Sequence, residues 1–416
     1  MKILKWLIPG MGVKRWAALV VLSVVLISMG TVIMVINRDA NNKAAVSVVI
    51  LFGIIGLIVA IKNIVKSVVT VFLPQREEEL VDIVYQKRYL ERGSNIVTIG
   101  GGTGLSVLLH GLKSYSSNIT AIVTVADDGG SSGRLRQEFN MLPPGDIRSC
   151  LVALADAEPL MRKLFQFRFE EGDYLKGHSF GNLFITAMSK VTGDFEEAIK
   201  QSSKVLAIRG KVIPSTLSKI KLVAEHKNGE LTAGESKISE TKNPIKRVFL
   251  EPDNCEATEE ALIAVKEADV IILGPGSLYT SIIPNLLISG IYQEVSRSKV
   301  LKVYICNVMT QPGETDGYKA SDHLKALINH STPGIVNTCI INTGNVPEAL
   351  LKKYKEEGAG IVEPDRETIQ KMGYQVVGAN IISATDYVRH NADKLSRLIM
   401  NLVGEGTRRG AGEKWL

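Results

Sequence analysis

The stretch NIVTIGGGTGLS, residues 95–106, decides the fold of the large part of this 416-residue chain. It begins as a short apolar strand, turns through a run of glycines and opens an apolar helical pattern. Glycines at such a turn let backbone N–H groups and a helix N-terminus approach a phosphate closely. The residues predicted to form this anion site are Gly100, Gly101, Gly102, Thr103 and Gly104. No Lys-Ser/Thr pair follows, so the loop is not a Walker A motif; a tight turn without a ligand is the alternative.

The alternation of strand and helix continues along the chain. Short apolar strands are predicted at 95–99, 120–125, 269–273, 302–306 and 337–341. Helices are predicted at 104–113, 146–157, 181–191, 194–207, 256–267, 318–328 and 347–357. Continuous apolar strands separated by helices are typical of a parallel sheet covered on both faces. Residues 211–250 instead predict an antiparallel hairpin turning at Asn228-Gly229, as an insertion or an edge of the sheet. The fold class is therefore α/β, a Rossmann-like, mostly parallel sheet with helices on both faces and a small antiparallel insertion.

The loop after the second strand, ADDGGSSGRLR at 126–136, is dense in polar groups. Ligands of open α/β sheets lie beyond the carboxyl ends of the strands. Asp127 or Asp128 is predicted to bind Mg²⁺ or a ribose hydroxyl, and Asp127 is the metal-ligand candidate. The predicted phosphate contacts in this loop are Ser131, Ser132 and Arg134. An acidic turn with a helix cap is the alternative.

Three further segments extend the predicted site. GHSFGNL, at 177–183, offers His178 as a general-acid candidate, or as a structural helix cap, beside Ser179 and Asn182. In PPGDIR, at 143–148, Asp146 is predicted to cap a helix. A third glycine turn and a polar loop after the next strand add Gly274, Gly276, Ser277, Leu278 and Asn307. We expect these loops to converge at one sheet edge.

The first part of the chain has a different pattern. Residues 16–36 and 44–61 are two uncharged apolar spans joined by a short polar turn, and a spanning helix needs about 20 residues. They predict a transmembrane hairpin; a cleaved signal peptide is the alternative for the first span. The basic flanks predict a two-pass protein of the cell membrane with both termini and the large domain in the cytoplasm. The predicted segments are hairpin 1–74, charged connector 75–93, large domain 94–402 and tail 403–416.

Charge and cysteine usage exclude other classes. The first 92 residues carry twelve Lys and Arg against six Asp and Glu, which accounts for the whole net charge of +6. The remainder is neutral, so it lacks the positive field of a nucleic-acid-binding domain. The four cysteines form no CxxC pair, and the six histidines form no zinc motif.

Several segments together resemble the gluconeogenesis factor family, which is related to the 2-phospho-L-lactate transferases of the CofD type. The matching stretches are GGGTGLSVLLHGLK, TAIVTVADDGGSSGRLR, PPGDIRSCLVAL, GHSFGNL, ILGPGSLYTSIIPNLL, VYICNVMTQPGETDGY and DYVRHNADK. The resemblance implies a domain that binds a UDP-sugar such as UDP-N-acetylglucosamine, with ligand contacts from Tyr354 and Arg389. It also implies a role in cell-wall precursor supply and cell shape under gluconeogenic growth.

The resemblance leaves two functions open. We favour a non-catalytic regulatory binder with a protein partner in cell-wall precursor synthesis, because such synthesis ends at the bilayer. A CofD-like transferase, with Mg²⁺ at the transferred phosphoryl group, is the alternative. No other cofactor is implied, no nucleic acid is expected, and a homodimer is left open.

Overall fold

The computed structural model describes residues 13–36, 40–72, 88–157, 159–241, 243–384 and 387–412. The chain divides into two compact units between Arg88 and Tyr89. Most of the predicted charged connector, and the start and end of the chain, lie outside the described residues.

The N-terminal unit is a pair of helices, α1 (Val13–Ile36) and α2 (Ala40–Phe72). Both are long and apolar enough to cross a membrane. A Cβ on Gly53 would lie 2.7 Å from Ile27 Cγ1, so this glycine lets the two helices pack closely. Large apolar side chains such as Phe52 are mostly exposed. Residues 62–72, which follow the predicted second span, continue α2 as one helix.

The second unit is built on a seven-stranded sheet in which every pairing is parallel. The strands in chain order are β1 (Ile96–Gly100), β2 (Ile119–Val123), β3 (Lys211–Pro214), β7 (Val270–Leu273), β8 (Leu301–Ile305), β9 (Thr338–Asn342) and β10 (Gln375–Ala379). Their order across the sheet is β10-β9-β8-β7-β1-β2-β3. The chain therefore winds outward from β1 to β3 and then from β7 to β10, and the direction reverses between β1 and β7. Ligands of open α/β sheets bind at such a switch point.

Helices connect and cover these strands, as the sequence predicts. They are α3 (Gly102–Leu112), α4 (Gly130–Phe139), α5 (Gly145–Leu154), α6 (Pro159–Gln166), α7 (Phe180–Thr192), α8 (Phe195–Val205), α9 (Glu235–Glu240), α10 (Glu259–Glu267), α11 (Ile283–Leu286), α12 (Ile291–Arg297), α13 (Ala320–Asn329), α14 (Glu348–Glu356), α15 (Arg366–Lys371) and α16 (Ala392–Gly412). A π-helical turn, Leu278–Ile282, precedes α11. Each predicted strand and helix overlaps an observed one. The last helix runs through the predicted domain end at 402 to Gly412.

The antiparallel insertion is smaller than predicted. Its three strands are β4 (Lys221–His226), β5 (Leu231–Ala233) and β6 (Ile245–Glu251), in the order β5-β4-β6. The turn at Asn228-Gly229 is confirmed, with Gly229 at φ +85°. Of the two placements predicted for 211–250, the edge of the sheet is correct for β3, which pairs with β2. Residues 235–240 differ from the predicted hairpin: they form α9, and the Asp128 carboxylate accepts the Ser236 N–H at its start.

A two-stranded antiparallel ribbon completes the fold. Its strands are β11 (Ile382–Ala384) and β12 (Val388–His390). The tyrosine hydroxyl of Tyr354 on α14 accepts a hydrogen bond from the Val388 N–H at 3.0 Å. This bond attaches the ribbon to α14 and so positions Arg389, the middle residue of β12.

Candidate functional site

A cavity of about 480 Å³ opens at the switch point between β1 and β7. This volume is in the range of small-molecule sites, about 300–1,000 Å³. The predicted site residues that line it are Gly101, Gly102, Thr103, Gly104, Gly276, Ser277, Asn307, Tyr354 and Arg389. Loops that follow three different strands therefore meet here with α14 and β12. The cavity is the strongest candidate for a ligand site in the described part of the chain.

The two glycine turns approach each other so closely that side chains would not fit between them. A Cβ on Gly104 would lie 2.6 Å from the carbonyl oxygen of Pro275, and one on Gly101 would lie 2.4 Å from Asp146 Oδ2. Gly102 has φ +67°, which glycine adopts without steric cost. The glycines thus serve close backbone packing as well as access for a ligand.

Asn307 and Gln311 hold the third glycine turn in place. The Asn307 side-chain amide donates to the Gly276 carbonyl at 2.9 Å and to Gln311 Oε1 at 3.2 Å. The Gln311 amide in turn donates to Ser277 Oγ. Asn307 therefore holds the third glycine turn in place at the wall of the cavity. Both hydrogen bonds use its side-chain NH₂ group, so that group is already occupied within the protein.

Two buried carboxyl groups in the cavity were missed as site residues. Asp146 is not the helix cap that the sequence predicts; Pro144 holds that position, and Asp146 lies in the first turn of α5. Its carboxylate accepts the Gly102 N–H, an amide that the glycine-loop prediction assigned to a phosphate. Burial raises the pKa of Asp146 from 3.8 to about 7, and nearby Asp127 adds to the rise.

The second carboxyl belongs to Glu235 at the start of α9, which reaches the cavity from the insertion. Burial raises the pKa of Glu235 well above its usual value, and Asp146 and Asp127 add to the rise. Its Oε2 has no hydrogen-bond partner among the described residues. No local sequence signal marks Glu235, whereas the Pro-Pro-Gly turn before Asp146 did draw attention to that residue.

His390, beside Arg389 on β12, also lines the cavity and was not predicted. Burial lowers the pKa of His390 to about 4, so its imidazole is neutral at pH 7. The cavity therefore joins an exposed cation, a neutral histidine and two carboxyls with raised pKa values.

The second loop and the 177–183 segment do come together, but in a buried polar cluster that does not line the cavity. Asn182 Nδ2 donates to Ser131 Oγ at 3.1 Å and to Ser132 Oγ at 3.4 Å. Ser131 Oγ also lies 3.0 Å from His178 Nδ1. Ser179 caps α7 by accepting the Asn182 N–H. These contacts form a polar cluster beside the cavity, in which Asn182 Oδ1 is buried without a hydrogen-bond partner among the described residues.

Burial lowers the pKa of His178, and the charge of Arg134 adds to the effect. Arg134 itself donates to the Lys176 carbonyl at 2.8 Å, which ties the second loop to the segment before His178.

The remaining predicted residues lie near the cavity but do not line it. Asp127 accepts the Gly129 N–H at 2.9 Å, and Asp128 caps α9 as described above. Gly100 ends β1, Gly274 has φ +80°, and Leu278 is a fully buried core residue. Among the residues that the structure describes, no group of three or more His, Cys, Asp or Glu side chains is placed to hold a metal ion.

Residues 96–382 match the sequence profile of the family described as 2-phospho-L-lactate transferase CofD. The gluconeogenesis factor of Bacillus subtilis is 50% identical over 74% of this chain and 98% of its own length. A provisionally named gluconeogenesis factor of Nostoc sp. is 47% identical over 96% of this chain and 92% of its own. The second alignment thus includes the segment of α1 and α2.

A crystal structure of a Bacillus halodurans protein superposes with a TM-score of 0.73 and 49% sequence identity. It covers 74% of this chain and 100% of that protein. The resemblance inferred from the motifs is therefore confirmed by sequence and by fold. The chain belongs to the gluconeogenesis factor family, whose large domain is of the CofD type.

Proposed function

We propose that this chain is a regulatory protein that binds a UDP-sugar of the UDP-N-acetylglucosamine type in the cavity between β1 and β7. The observation that carries this proposal is the convergence of two glycine turns with Tyr354 and Arg389 around a single cavity of about 480 Å³. The glycine turn after β1 suits a diphosphate because it places the N-terminus of α3 at the cavity; Asp146 accepts the Gly102 N–H, and the amides of Thr103 and Gly104 are proposed to meet the phosphates.

The two other residues suit the remaining parts of such a ligand. Arg389 is exposed at the cavity, and a guanidinium pairs bidentately with phosphate oxygens. The hydrogen bond from the Val388 N–H fixes the Tyr354 hydroxyl, which leaves its ring as a rigid surface for a uracil base. Asp146 and Glu235, whose pKa values burial raises, are suited to hydrogen-bond sugar hydroxyls.

Membrane attachment through residues 16–61 is part of the proposal. Lys2, Lys5, Lys14 and Arg15 precede the first uncharged span (16–36) without an acid, whereas residues 37–43 between the two spans contain two basic residues and one acid. This asymmetry favours both termini and the large domain in the cytoplasm at the cell membrane. There the protein would act with a protein partner in cell-wall precursor synthesis, and so on cell shape under gluconeogenic growth. The names of the relatives support the metabolic part of this role.

A transferase is the second candidate, because the matching profile is described as a 2-phospho-L-lactate transferase. In that case a nucleotide diphosphate donor would occupy the same cavity, and Mg²⁺ beside Asp127 or Asp128 would offset charge on the transferred group. The two candidates differ in turnover and not in the place of binding.

Binding is tested by calorimetry with UDP-N-acetylglucosamine on the full-length chain in neutral detergent. We expect Arg389→Ala and Tyr354→Ala each to weaken binding at least tenfold, about 1.4 kcal/mol or more, because each removes one main contact. Matched controls are Arg297→Ala and Tyr174→Ala, since both side chains are exposed and lie outside the cavity. Thermal unfolding checks that each variant is folded.

Wild-type affinity in both cavity variants would refute the assignment of this site. The same samples are assayed for product after incubation with a nucleotide diphosphate donor and a deazaflavin acceptor. Binding without product supports the regulatory protein, and product formation supports the transferase.

A further inference from the structure

A second cavity, of about 630 Å³, adjoins the proposed nucleotide site. It lies among α3, α5, α6 and the first residue of α16, and the residues Thr103 and Val107 on α3 line both cavities. Two ligands would therefore lie on either side of the first turns of α3. None of the predicted site residues except Thr103 belongs to this second cavity.

The wall of the second cavity carries an excess of positive charge, although Asp393 acts on His110, and Asp146 and Asp127 act on Arg148, from outside the wall. Arg148, Arg162 and Lys163 line it together with His110, and none of the described lining residues is Asp or Glu. Burial lowers the pKa of His110, and the positive charges of Lys113 and Arg162 lower it further. Like charges brought together in this way destabilise the empty protein, and an anion would relieve the repulsion.

Arg148 is the most buried of these cations. Its guanidinium donates to two neutral hydroxyls, Ser179 Oγ at 2.6 Å and Ser149 Oγ at 3.2 Å. Its buried Nε–H has no partner within the described chain. The charge of Arg168 affects the pKa of Arg148 more than either Asp146 or Asp127 does. Because the hydrogen-bond partners of this guanidinium are neutral hydroxyls, its charge remains available to an anionic ligand in the cavity.

We propose that this second cavity binds a small phosphorylated molecule, with its phosphate among Arg148, Arg162 and Lys163. Three cations suit the two negative charges of a phosphate, and arginine binds phosphate through paired N–H donors. The volume exceeds that of a phosphate ion, and Val152, Ala153 and Pro159 provide an apolar wall for the body of the molecule. This proposal does not depend on which ligand binds in the nucleotide cavity. Because Thr103 and Val107 line both cavities, binding in one cavity can affect binding in the other.

The test is calorimetric titration of the full-length chain in neutral detergent with inorganic phosphate and with glucose 6-phosphate. Three variants are compared with the wild type. Arg162→Ala/Lys163→Ala removes two cations from the second cavity. Lys204→Ala/Lys211→Ala removes the same charge from a different surface cavity and controls for net charge. Arg389→Ala reports on phosphate bound in the nucleotide cavity instead.

We expect both probes to bind the wild type, and the Arg162/Lys163 variant to lose at least tenfold in affinity for both. The Lys204/Lys211 variant should change by less than twofold. Tighter binding of glucose 6-phosphate than of phosphate supports a cavity that also holds the body of the ligand. The proposal is overturned if the wild type binds neither probe, if both double variants lose affinity equally, or if only Arg389→Ala loses it.

Discussion

Replacement of Asp146 by asparagine should change how the stability of the protein depends on pH. The carboxyl group lies largely buried beneath the glycine turn, where burial raises its pKa from 3.8 to about 7. Because the folded-state pKa lies above the unfolded one, the folded chain holds this proton between about pH 4 and pH 7 while the unfolded chain releases it. Stability from this group therefore falls as the pH rises through that window, and the full cost is present above pH 7.

The size of the effect follows from the two pKa values. At about 1.4 kcal/mol for each pH unit, the wild type loses about 4 kcal/mol from this group between pH 4 and pH 8. Asparagine has the same shape and cannot ionise, so Asp146→Asn should not show this loss. A weaker hydrogen bond from the Gly102 N–H to the neutral amide costs about 1 kcal/mol. We therefore expect the variant to be about 3 kcal/mol more stable than the wild type at pH 8 and about 1 kcal/mol less stable at pH 4.

The assay is urea unfolding of the full-length chain in neutral detergent, followed by circular dichroism from pH 4 to pH 8. Asp173→Asn, at an exposed aspartate outside the cavity, controls for the loss of one carboxyl group. The difference between Asp146→Asn and wild type should grow with pH and level off above pH 7. A constant difference across the whole range would refute the argument that Asp146 is buried with a raised pKa.

Three further predictions concern the glycine turn and the hairpin. Gly104→Ala should lower the free energy of unfolding by about 1–3 kcal/mol, because the new Cβ would lie 2.6 Å from the Pro275 carbonyl oxygen. The control is Gly129→Ala, whose Cβ would meet no atom closer than 3.5 Å and which should have little effect on thermal unfolding. Gly102→Asp should abolish UDP-sugar binding in calorimetry with the fold retained, since a new carboxylate would face the diphosphate; unchanged affinity would count against the site. A chain lacking residues 1–74 should be soluble and still bind, and loss of binding would show that the hairpin does more than anchor.

The candidate site was predictable where the glycine turns follow strands, and less so elsewhere. The strand–glycine–helix pattern identified Gly101 to Gly104 and Gly276 because parallel strands place their carboxyl ends at one edge. The same reasoning also placed residues of the second loop, 126–136, at the site, but these residues do not line the cavity. Ser131 and Asn182 hydrogen-bond to each other outside the cavity. A polar residue near a strand end can find its partner within the protein instead of in a ligand. Tyr354 and Arg389 came from family resemblance, not from any spacing in this chain.

The sequence by itself determined the α/β class, the positions of strands and helices, and the two apolar helices at the start, because these depend on local periodicity and on the length of uncharged runs. Only the tertiary structure decided which groups share the cavity. Asp146 and Glu235 are ordinary acids in the sequence, and their raised pKa values arise from burial by segments far away along the chain. The same holds for the second cavity, where helices α3, α5 and α6 bring like charges together. Burial and charge proximity depend on distances in space, and local sequence patterns do not encode those distances.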